Sequence, residues 1–457
     1  MRVKPYPQYK TSPISWLDQM PQHWDAASLR WLSRRYAGGT PDKGSDAYWE
    51  DGEIPWLNSG AVNDGYITQP SALITRDGFA NSSAKWIPKG ALVMALAGQG
   101  KTKGMVAQLG IQTTCNQSMA AIIPDRRFVP RYLYWWLTAN YQNIRNLAGG
   151  EARDGLNLDL LGSIPCPLPP ASEQEAVVQF LDAESAQIDS LVAKKRDLVD
   201  KLREKRNALI ARTVTHGLPP EAAQAAGLEP NPKMQDSGVE WLGENPAHWR
   251  STQLKYAASK IVDCPHDTPQ YDPSGEYFVV RTADIGAGTL DLSRAYRVDE
   301  SEYVRRVRRA PVLPSDILYG REGERWGFAA LAPEEKTVCL GQRMMQFRAA
   351  SHFHPRFLMW HLNARCVYEQ GAVDAAGSTA PHVNVQTIRN YRLVEPPASE
   401  QAAIAAFIDN QTRKTDQLIE QVHGAVERLN EYRQALITSA VTGKIDVRHW
   451  QADKEAA

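Results

Sequence analysis

Two long stretches of the chain place apolar residues at alternating spacings of three and four, with charged residues between them. In the first stretch the apolar positions are Ile188, Leu191, Leu198, Leu202 and Leu209, interrupted at Lys195 and Lys205. In the second they are Leu418, Val422, Ala425, Leu429, Tyr432 and Leu436. This period predicts two long helices of the coiled-coil type, each of which needs a partner because its other faces are polar. The alternative is a pair of ordinary amphipathic helices in a globular core.

A serine marks the predicted start of each helix. Ser172 has a side chain suited to an N-cap, and Glu175 lies where a capping box requires a carboxylate. Ser399 is the equivalent residue in the second stretch, where Ala402 takes the place of the glutamate. We therefore expect the two N-caps at these serines.

The sequence contains a long internal repeat. The segment SWLDQMPQHWDAASL recurs as EWLGENPAHWRSTQL, FVPRYLYWWLTA recurs as FHPRFLMWHLNA, and PPASEQ is identical at 169–174 and 396–401. A period this long is not that of a solenoid, whose repeats are roughly 20–50 residues. It indicates the duplication of a complete module, a globular domain followed by a long helix.

The repeat predicts an α+β protein in which two mixed α/β domains are separated by two long antiparallel coiled-coil helices with pseudo-two-fold symmetry. ALVMALAG (91–98) and SDILYGRE (315–322) are predicted to be equivalent strands, while the strand order is not readable from the sequence. An antiparallel helix pair would place one domain at each end, and a parallel pair would place both at one end. The expected regions are a first domain (1–170), a first helix (171–216), a linker (217–235), a second domain (236–397), a second helix (398–445) and a tail (446–457).

Composition excludes several classes of protein. The 457 residues contain 52 Lys+Arg and 52 Asp+Glu, so the chain is neither a polycation nor an acidic tail protein. The five cysteines are far apart, which argues against a zinc ribbon or a disulfide scaffold and fits a reducing cytoplasm. No apolar run approaches the roughly 18–20 residues of a membrane span, and the N-terminus is not a signal peptide.

Motifs for catalysis and metal binding fail on inspection. Gly98–Thr102 has the end of a phosphate loop, but Ala95 occupies the position of its first glycine. A cluster of possible metal ligands in the second domain has no counterpart in the first, which argues against a structural metal; its members are His352, His354, His361 and Cys366. No methyltransferase or nuclease motif is present. The sequence thus predicts a protein that recognises a ligand without chemistry of its own.

The duplicated plan resembles the specificity (S) subunits of type I restriction-modification systems, the HsdS family. The resemblance rests on WLDQMPQHW repeated as WLGENPAHW, on both PPASEQ segments, and on the helix ends ARTVTHG and TSAVTGK. It implies two target recognition domains that read a bipartite DNA target, as part of a phage defence system. It also implies assembly with two modification (methyltransferase) subunits and two restriction (translocase/endonuclease) subunits. Those partners would hold S-adenosylmethionine, ATP and Mg²⁺, and this chain would hold no cofactor and no metal.

Loop positions give the candidate DNA contacts, since Arg and Lys bind phosphates and Arg, Asn and Gln also read base edges. In the first domain they are Asn58, Ser59, Gln99, Lys101, Lys103 and Asn116, and in the second Arg281, Thr282, Arg305, Arg308, Arg321, Arg325 and Gln342. The pairs expected to be equivalent but different are Asn58/Arg281, Asn116/Gly341 and Gln99/Arg325. Gln342 matches Gln117, which leaves a structural role open.

Two alternatives to DNA reading remain open. The arginines of RRVRR (305–309) could form a solvated face paired with nearby glutamates instead of binding DNA. The whole chain could be a coiled-coil adaptor that only scaffolds partners. A third alternative, a fused methyltransferase-nuclease, conflicts with the length of the chain and its lack of the required motifs.

Overall fold

The computed structural model describes residues 4–98, 101–147, 155–323, 325–375 and 381–451. They fall into two compact units, which are 1–195 with 424–457 and 196–423. The first unit therefore contains the beginning of the first long helix and the end of the second, and the second unit contains the other two halves. Among the described residues, no helix combines the length and apolar character needed to cross a membrane.

The first unit contains short strands, short helices and the start of one long helix. Its strands are β1 (Tyr9–Thr11), β2 (Gln19–Pro21), β3 (Asp25–Ser28), β4 (Ser33–Ala37), β5 (Ile54–Leu57), β6 (Tyr66–Ile67), β7 (Ala72–Ile74), β8 (Leu92–Ala95), β9 (Val106–Leu109), β10 (Thr114–Cys115), β11 (Met119–Pro124) and β12 (Pro165–Leu168). Its helices are α1 (Arg76–Ala80), α2 (Pro130–Ala139), α3 (Tyr141–Asn146), α4 (Leu158–Ser163) and the first part of α5 (Ala171–His216).

The second unit repeats this plan. It contains the end of α5 and α6 (Pro220–Ala225), β13 (Met234–Asp236), β14 (Glu244–Pro246), β15 (Arg250–Gln253), α7 (Leu254–Ala257), β16 (Ala258–Asp263), β17 (Tyr277–Val280), β18 (Ile285–Gly286), β19 (Thr289–Leu290), β20 (Tyr296–Val298), α8 (Glu300–Arg306), β21 (Ile317–Gly320), β22 (Ala329–Leu331), β23 (Val338–Leu340), β24 (Met344–Ala349), α9 (Pro355–Leu362), α10 (Arg365–Ala375), α11 (Val385–Arg389), β25 (Arg392–Glu395) and the first part of α12 (Ala398–Val441).

The sheets of the two units have matching topology. In the first unit, β5 lies between parallel β10 and antiparallel β7, and a second sheet has the order β4-β11-β8-β9-β6. In the second unit, β17 lies between parallel β23 and antiparallel β20, and a second sheet has the order β16-β24-β21-β22. The predicted mixed α/β class and internal repeat are confirmed, and β8 and β21 are the predicted equivalent strands.

The long helices run antiparallel within the first unit. Glu173, near the start of α5, has a carboxylate oxygen 3.8 Å from a guanidinium nitrogen of Arg448, just beyond the end of α12. Asp189, further along α5, lies 3.5 Å from Arg433, which is earlier in α12. Residues later in α5 therefore lie beside residues earlier in the second helical region, which is the antiparallel arrangement.

The second unit has the same helix direction. Arg206 of α5 binds Asp416 of α12, with 2.8 Å between Nε and Oδ1. At the end of α5, His216 lines a small cavity together with Glu400 and Ile404, which lie near the start of α12. The predicted antiparallel pairing of the two long helices is thus present in each unit.

The predicted phase of the apolar seam is wrong in part. Leu191 and Leu198 are 43 % and 44 % exposed, whereas their neighbours Val192 and Val199 are buried. The predicted residues Leu418 and Tyr432 are exposed as well. Val192 belongs to a core cluster that contains residues of both α12 and the globular domain, so the buried face of α5 is shifted by one position from the predicted seam and is wider than a two-position seam.

The predicted N-cap at Ser172 is also wrong. The helix begins at Ala171, so Ser172 lies within it and is exposed. The carbonyl of Pro170 accepts hydrogen bonds from the N–H groups of Glu173 and Gln174. Ser399 likewise lies within α12, which begins at Ala398.

The repeated helices α2 and α9 differ at one buried position. Trp136 of α2 donates from Nε1 to the carbonyl of Pro165 over 3.1 Å. The equivalent residue of α9 is His361, which is fully buried and, among the residues that the structure describes, has no hydrogen-bond partner on either ring nitrogen. Burial lowers the pKa of His361 to about 3, so the folded protein holds the ring neutral.

His361 should make the protein sensitive to mild acid. In the unfolded chain a histidine takes up its proton near pH 6.5, whereas the folded chain takes it up only near pH 3. Between these values the unfolded state binds more protons, so the free energy of unfolding falls as the pH falls. We expect His361→Leu to be about 2 kcal/mol more stabilising at pH 5 than at pH 7, because one pKa unit corresponds to about 1.4 kcal/mol.

Urea unfolding of the full chain at the two pH values measures this effect. The control is His352→Leu, since His352 lies close by in sequence but is exposed. An equal pH response in both variants would mean that His361 is not held neutral by the fold.

Candidate nucleic-acid interface

In the first unit, loops meet where the parallel strands β5 and β10 end. The N–H of Asn116 donates to the carbonyl of Leu57 over 2.9 Å, which joins the two loops. The N–H of Leu96, just after β8, donates to the carbonyl of Ser118 over 2.8 Å, which brings a third loop to the same place. We call the surface formed by 58–60, 97–98 and 116–118 edge 1.

The second unit has the equivalent surface at the ends of β17 and β23. The N–H of Gly341 donates to the carbonyl of Val280 over 2.8 Å, and the N–H of Arg321 donates to the carbonyl of Arg343 over 2.9 Å. We call the surface formed by 281–284, 321–323, 325–327 and 341–343 edge 2. Both edges thus arise from the same sheet ends of the duplicated fold.

Edge 1 presents amide side chains. The Asn58 side-chain oxygen accepts from the N–H of Gly60 over 2.8 Å, and that of Asn116 accepts from the N–H of Ser118 over 3.1 Å. Within the described part of the chain, the NH₂ group of neither asparagine has a partner. Ser59 is half-buried and begins the 3-10 helix Ser59–Asp64. Edge 1 therefore offers neutral donors.

The other candidates of the first domain have different surroundings. Lys101 is exposed and lines a groove of about 450 Å³, together with Tyr141 and Arg433. Lys103 is buried, at 4 % exposure, and its carbonyl accepts from Arg145. Gln99 lies outside the described residues. Lys101 is thus the candidate lysine with an exposed side chain.

Edge 2 presents guanidinium groups. Arg281 occupies the same place as Asn58, because each is the N-cap of a 3-10 helix that follows the equivalent strand. Thr282 is half-buried in that helix. Arg325 is exposed and donates from Nη1 to the carbonyl of Ala283 over 2.8 Å, which ties two loops of edge 2 together.

Arg321 has a different position. Its side chain is 5 % exposed, lies 3.5 Å from Asp263 and pairs with Glu322. Its Nε and the Oδ1 of Asp263 are buried without a hydrogen-bond partner. The guanidinium group of Arg321 is therefore inside the unit, where it supports edge 2 from beneath.

The RRVRR cluster divides into two pairs. Arg305 and Arg306 bind Glu302 and Asp267, and Arg306 is buried. The hydrogen bonds from Arg305 lower the pKa of both Glu302 and Asp267. By contrast, Arg308 and Arg309 are exposed, with Arg309 donating to the carbonyl of Asp263. The glutamate-paired alternative thus applies to the first two arginines.

Gln342 makes the same contact as its counterpart. It hydrogen-bonds Thr268 over 2.9 Å, and Gln117 hydrogen-bonds Thr40 in the first unit. A contact repeated in both units is a framework contact, which favours the structural role that the sequence left open for Gln342.

Three functional candidates were not found from the sequence. Arg343 is exposed and has a φ of 75°, and its guanidinium group makes no hydrogen bond or ion pair among the described residues. Asp284 and Tyr296 both contact Arg281, as described below. The sequence does contain a feature that points to Arg343. The identical glutamines Gln117 and Gln342 are followed by Ser118 in one copy and by Arg343 in the other.

The repeated sequence motifs bind each other instead of a ligand. Glu173 accepts from Trp24 Nε1 over 2.9 Å and from the Tyr6 hydroxyl over 3.0 Å, and lies 2.7 Å from His23 Nε2. In the second unit Glu400 accepts from Trp249 Nε1 over 2.8 Å and lies 2.7 Å from His248 Nε2. The PPASEQ and WLxxxPxHW motifs therefore join each domain to its long helix.

A second aspartate contact repeats in the same way. Asp182 accepts from Trp135 and Arg131, and Asp409 accepts from Trp360 and Arg356. The glutamines that follow the two glutamates bind backbone groups of the domains, with Gln174 on Val129 and Gln401 on His354. These contacts hold the edges on a common frame.

No group of three or more His, Cys, Asp or Glu side chains suited to a metal ion occurs among the described residues. The candidate metal ligands of the second domain are dispersed, since His361 is in the core and His352 is exposed.

Comparison with known proteins gives one match to the same family model for each copy of the repeat. The model of the type I restriction modification DNA specificity domain matches twice, at 33–199 and 271–428. The StySPI specificity subunit of Salmonella potsdam is 22 % identical over 95 % of this chain and 92 % of its own length. The EcoR124I/EcoR124II specificity subunit of Escherichia coli is 27 % identical over 40 % of this chain, which spans 45 % of that protein.

Solved structures agree on the fold. A chain from a structure of complex assembly and conformational transition in the type I R-M system has a TM-score of 0.63 with 17 % identity, covering 93 % of this chain and 99 % of that one. The two matches to the domain model together cover more than half of the sequence, one in each unit. The chain therefore belongs to the type I restriction modification DNA specificity family.

Proposed function

We propose that this chain is the sequence-specific DNA-recognition subunit of a type I restriction-modification complex, and that edges 1 and 2 read two different half-sites of one double-stranded target. The observation that carries the proposal is that edges 1 and 2 have the same backbone framework but present different side chains. Edge 1 presents the amides of Asn58 and Asn116, whereas edge 2 presents the guanidinium groups of Arg281 and Arg325. Amide and guanidinium groups favour different bases in the major groove.

The target that fits this arrangement is bipartite and asymmetric, with unread bases between the half-sites. The two long helices set the number of those bases. The functional regions are recognition domains at 1–170 and 236–397, helical regions at 171–216 and 398–445, a linker at 217–235 and a tail at 446–457.

The remaining candidates fall into two groups. Exposed cations suit phosphates when they have no carboxylate partner within the described part of the chain, as is the case for Lys101, Arg308 and Arg343. Buried or paired groups support the edges from below, and these are Lys103, Arg305, Arg321 and Gln342. Ser59 and Thr282 directly follow Asn58 and Arg281, so they are candidates for contacts with the same half-sites. Gln99 stays a candidate from its sequence position alone.

Partner subunits complete the complex. Electrostatic attraction to DNA grows with the number of phosphates neutralised, and the net charge of this chain is zero, so the chain alone binds DNA weakly. Two methyltransferase subunits therefore close around the duplex, and two restriction subunits join for cleavage. S-adenosylmethionine, ATP and Mg²⁺ belong to those partners. The origin of a solved relative in a type I R-M assembly supports this view.

Selection from a random-sequence double-stranded DNA library tests the proposal. The complex of this chain with its modification subunits should enrich two unlike short sequences at a fixed separation. The doubly altered chain Asn58→Ala, Arg281→Ala should retain DNA without that consensus. Enrichment of no sequence by the unaltered complex would reject the proposal and leave the coiled-coil adaptor as the better account.

A further inference from the structure

Arg281 is held in place by two neighbours at edge 2. Asp284 binds it in a bidentate manner, with 3.0 Å from Nε to Oδ2 and 2.8 Å from Nη2 to Oδ1. The ring of Tyr296 lies against the guanidinium plane, with 4.0 Å between Cζ and the ring centroid. The guanidinium group therefore has a defined orientation before any ligand binds.

Both neighbours of Arg281 make further contacts of their own. The Asp284 side chain is 5 % exposed, and its Oδ2 also accepts the backbone N–H of Arg281 over 2.8 Å. Tyr296 packs on Tyr271, with 4.6 Å between ring centroids. Both neighbours are thus fixed by contacts of their own.

The donors that remain point away from Asp284. Nη2 has one further contact, at 3.5 Å, to the carbonyl of Arg294. The Tyr296 side chain also hydrogen-bonds the guanidinium group. The Arg281 side chain is 26 % exposed. The donors that Asp284 leaves free are therefore those of Nη1 and the second N–H of Nη2, which has only the long contact to Arg294.

A glycine makes room for this side chain. A Cβ at Gly341 would lie 3.1 Å from Cγ of Arg281 and 2.9 Å from the carbonyl oxygen of Val280. In the first unit the equivalent position is Asn116 and the residue opposite it is the shorter Asn58. The two edges therefore differ as matched pairs, a long residue facing glycine in one and two asparagines in the other.

Charge decides between a phosphate and a base as the ligand of Arg281. The Asp284 carboxylate neutralises much of its positive charge, which weakens attraction to a phosphate. A fixed fork of two donors instead matches the O6 and N7 acceptors of guanine, the commonest specific contact in the major groove. Arg308 and Arg343, which have no carboxylate partner, are better placed to bind phosphates.

We propose that Arg281 reads a guanine in the half-site bound by edge 2, that Asp284 and Tyr296 are positioning residues for it, and that Gly341 leaves the space it needs. This inference rests on the proposed function and adds to it the identity of one recognised base and of the residue that contacts it.

Variants of the full chain in complex with its modification subunits test the inference by library selection. Arg281→Ala should lower discrimination at one G·C position by about 10- to 100-fold and leave the other half-site unchanged. Tyr296→Leu should lower it at the same position by about tenfold or less, and Tyr296→Phe should lower it less than Tyr296→Leu because the ring remains and only the hydroxyl is lost. Gly341→Asn should act like Arg281→Ala, since it displaces the side chain.

Salt dependence separates base reading from phosphate binding. On an oligonucleotide with the selected consensus, Arg281→Ala should leave the slope of log affinity against log salt unchanged, whereas Arg308→Ala should reduce it by about one. The matched control is Arg297→Ala on the same strand as Tyr296, because Arg297 packs on Phe278 instead. It should change neither the consensus nor the slope.

Three results would overturn the inference. These are an unchanged consensus in Arg281→Ala, relaxation at an A·T position, and uniform weakening with a reduced salt slope. Equal thermal melting of the variants and the unaltered complex excludes unfolding as the cause. If the unaltered complex selects no consensus, the proposed function fails; if it selects one that Arg281→Ala leaves intact, this inference alone fails.

Discussion

Replacing Glu173 with alanine should lower the free energy of unfolding of the full chain by about 3–5 kcal/mol. The Glu173 carboxylate is the acceptor for Trp24 and Tyr6, and all three residues are buried. Its removal leaves two buried donors without an acceptor at the junction between the first domain and α5. Urea unfolding followed by tryptophan fluorescence measures the loss.

Two further variants sharpen this result. Glu400→Ala should cost less, about 1–3 kcal/mol, because the Glu400 side chain is 18 % exposed and has no counterpart of the Tyr6 contact. Glu175→Ala is the matched control, since Glu175 is exposed two residues later and should change stability by about 0.5 kcal/mol at most. A large loss of stability in Glu175→Ala with little loss in Glu173→Ala would instead support the capping box predicted from the sequence. It would contradict the buried contacts of Glu173 as the link between the first domain and α5.

Lengthening both long helices should lengthen the spacer of the DNA target without changing either half-site. The insertion points are after Lys195 in α5 and after His423 in α12, because these are the boundaries of the two units and neither unit is interrupted. Insertion in both helices is required, since the antiparallel pairing would otherwise lose its register. Whole heptads keep the same helix face buried.

Three heptads in each helix are the most informative length. They add roughly 31 Å at about 1.5 Å per residue, which corresponds to about nine base pairs and thus nearly one turn of DNA. The half-sites then keep nearly the same side of the duplex toward the protein. Library selection with the lengthened complex should return the original half-sites about nine base pairs further apart. An unchanged spacer, or new half-sites, would show that the helices do not set the distance.

The duplicated frame could be predicted from the sequence because its contacts need particular residue types in both copies. Trp24 and Trp249 recur because each donates to a glutamate of PPASEQ, and that constraint is visible as a repeat. The start of α5 was misplaced for a related reason. Ser172 has the chemistry of an N-cap, but its neighbours Glu173 and Gln174 are held by domain residues far away in sequence, and those contacts fix where the helix begins.

The edges were harder to predict because exposure depends on distant residues. Arg321 and Arg325 are four positions apart and chemically identical, yet the first is buried against Asp263 and the second is exposed. Similarly, the spacing of Leu191 and Leu198 suits a coiled coil, but the neighbouring residues Val192 and Val199 are the buried ones. Which of two adjacent positions is buried depends on residues far away in the sequence. Only the loop positions, and the residue differences between equivalent loops, could be read from the sequence.

The most direct test of the central claim is a genome-wide map of methylated bases in cells that carry this chain with its modification subunits. The account predicts one bipartite motif with two unlike half-sites and a fixed run of unread bases between them, with guanine in the half-site that Arg281→Ala relaxes. A palindromic motif, a continuous motif or methylation without any consensus would contradict the claim that the two edges read different sequences.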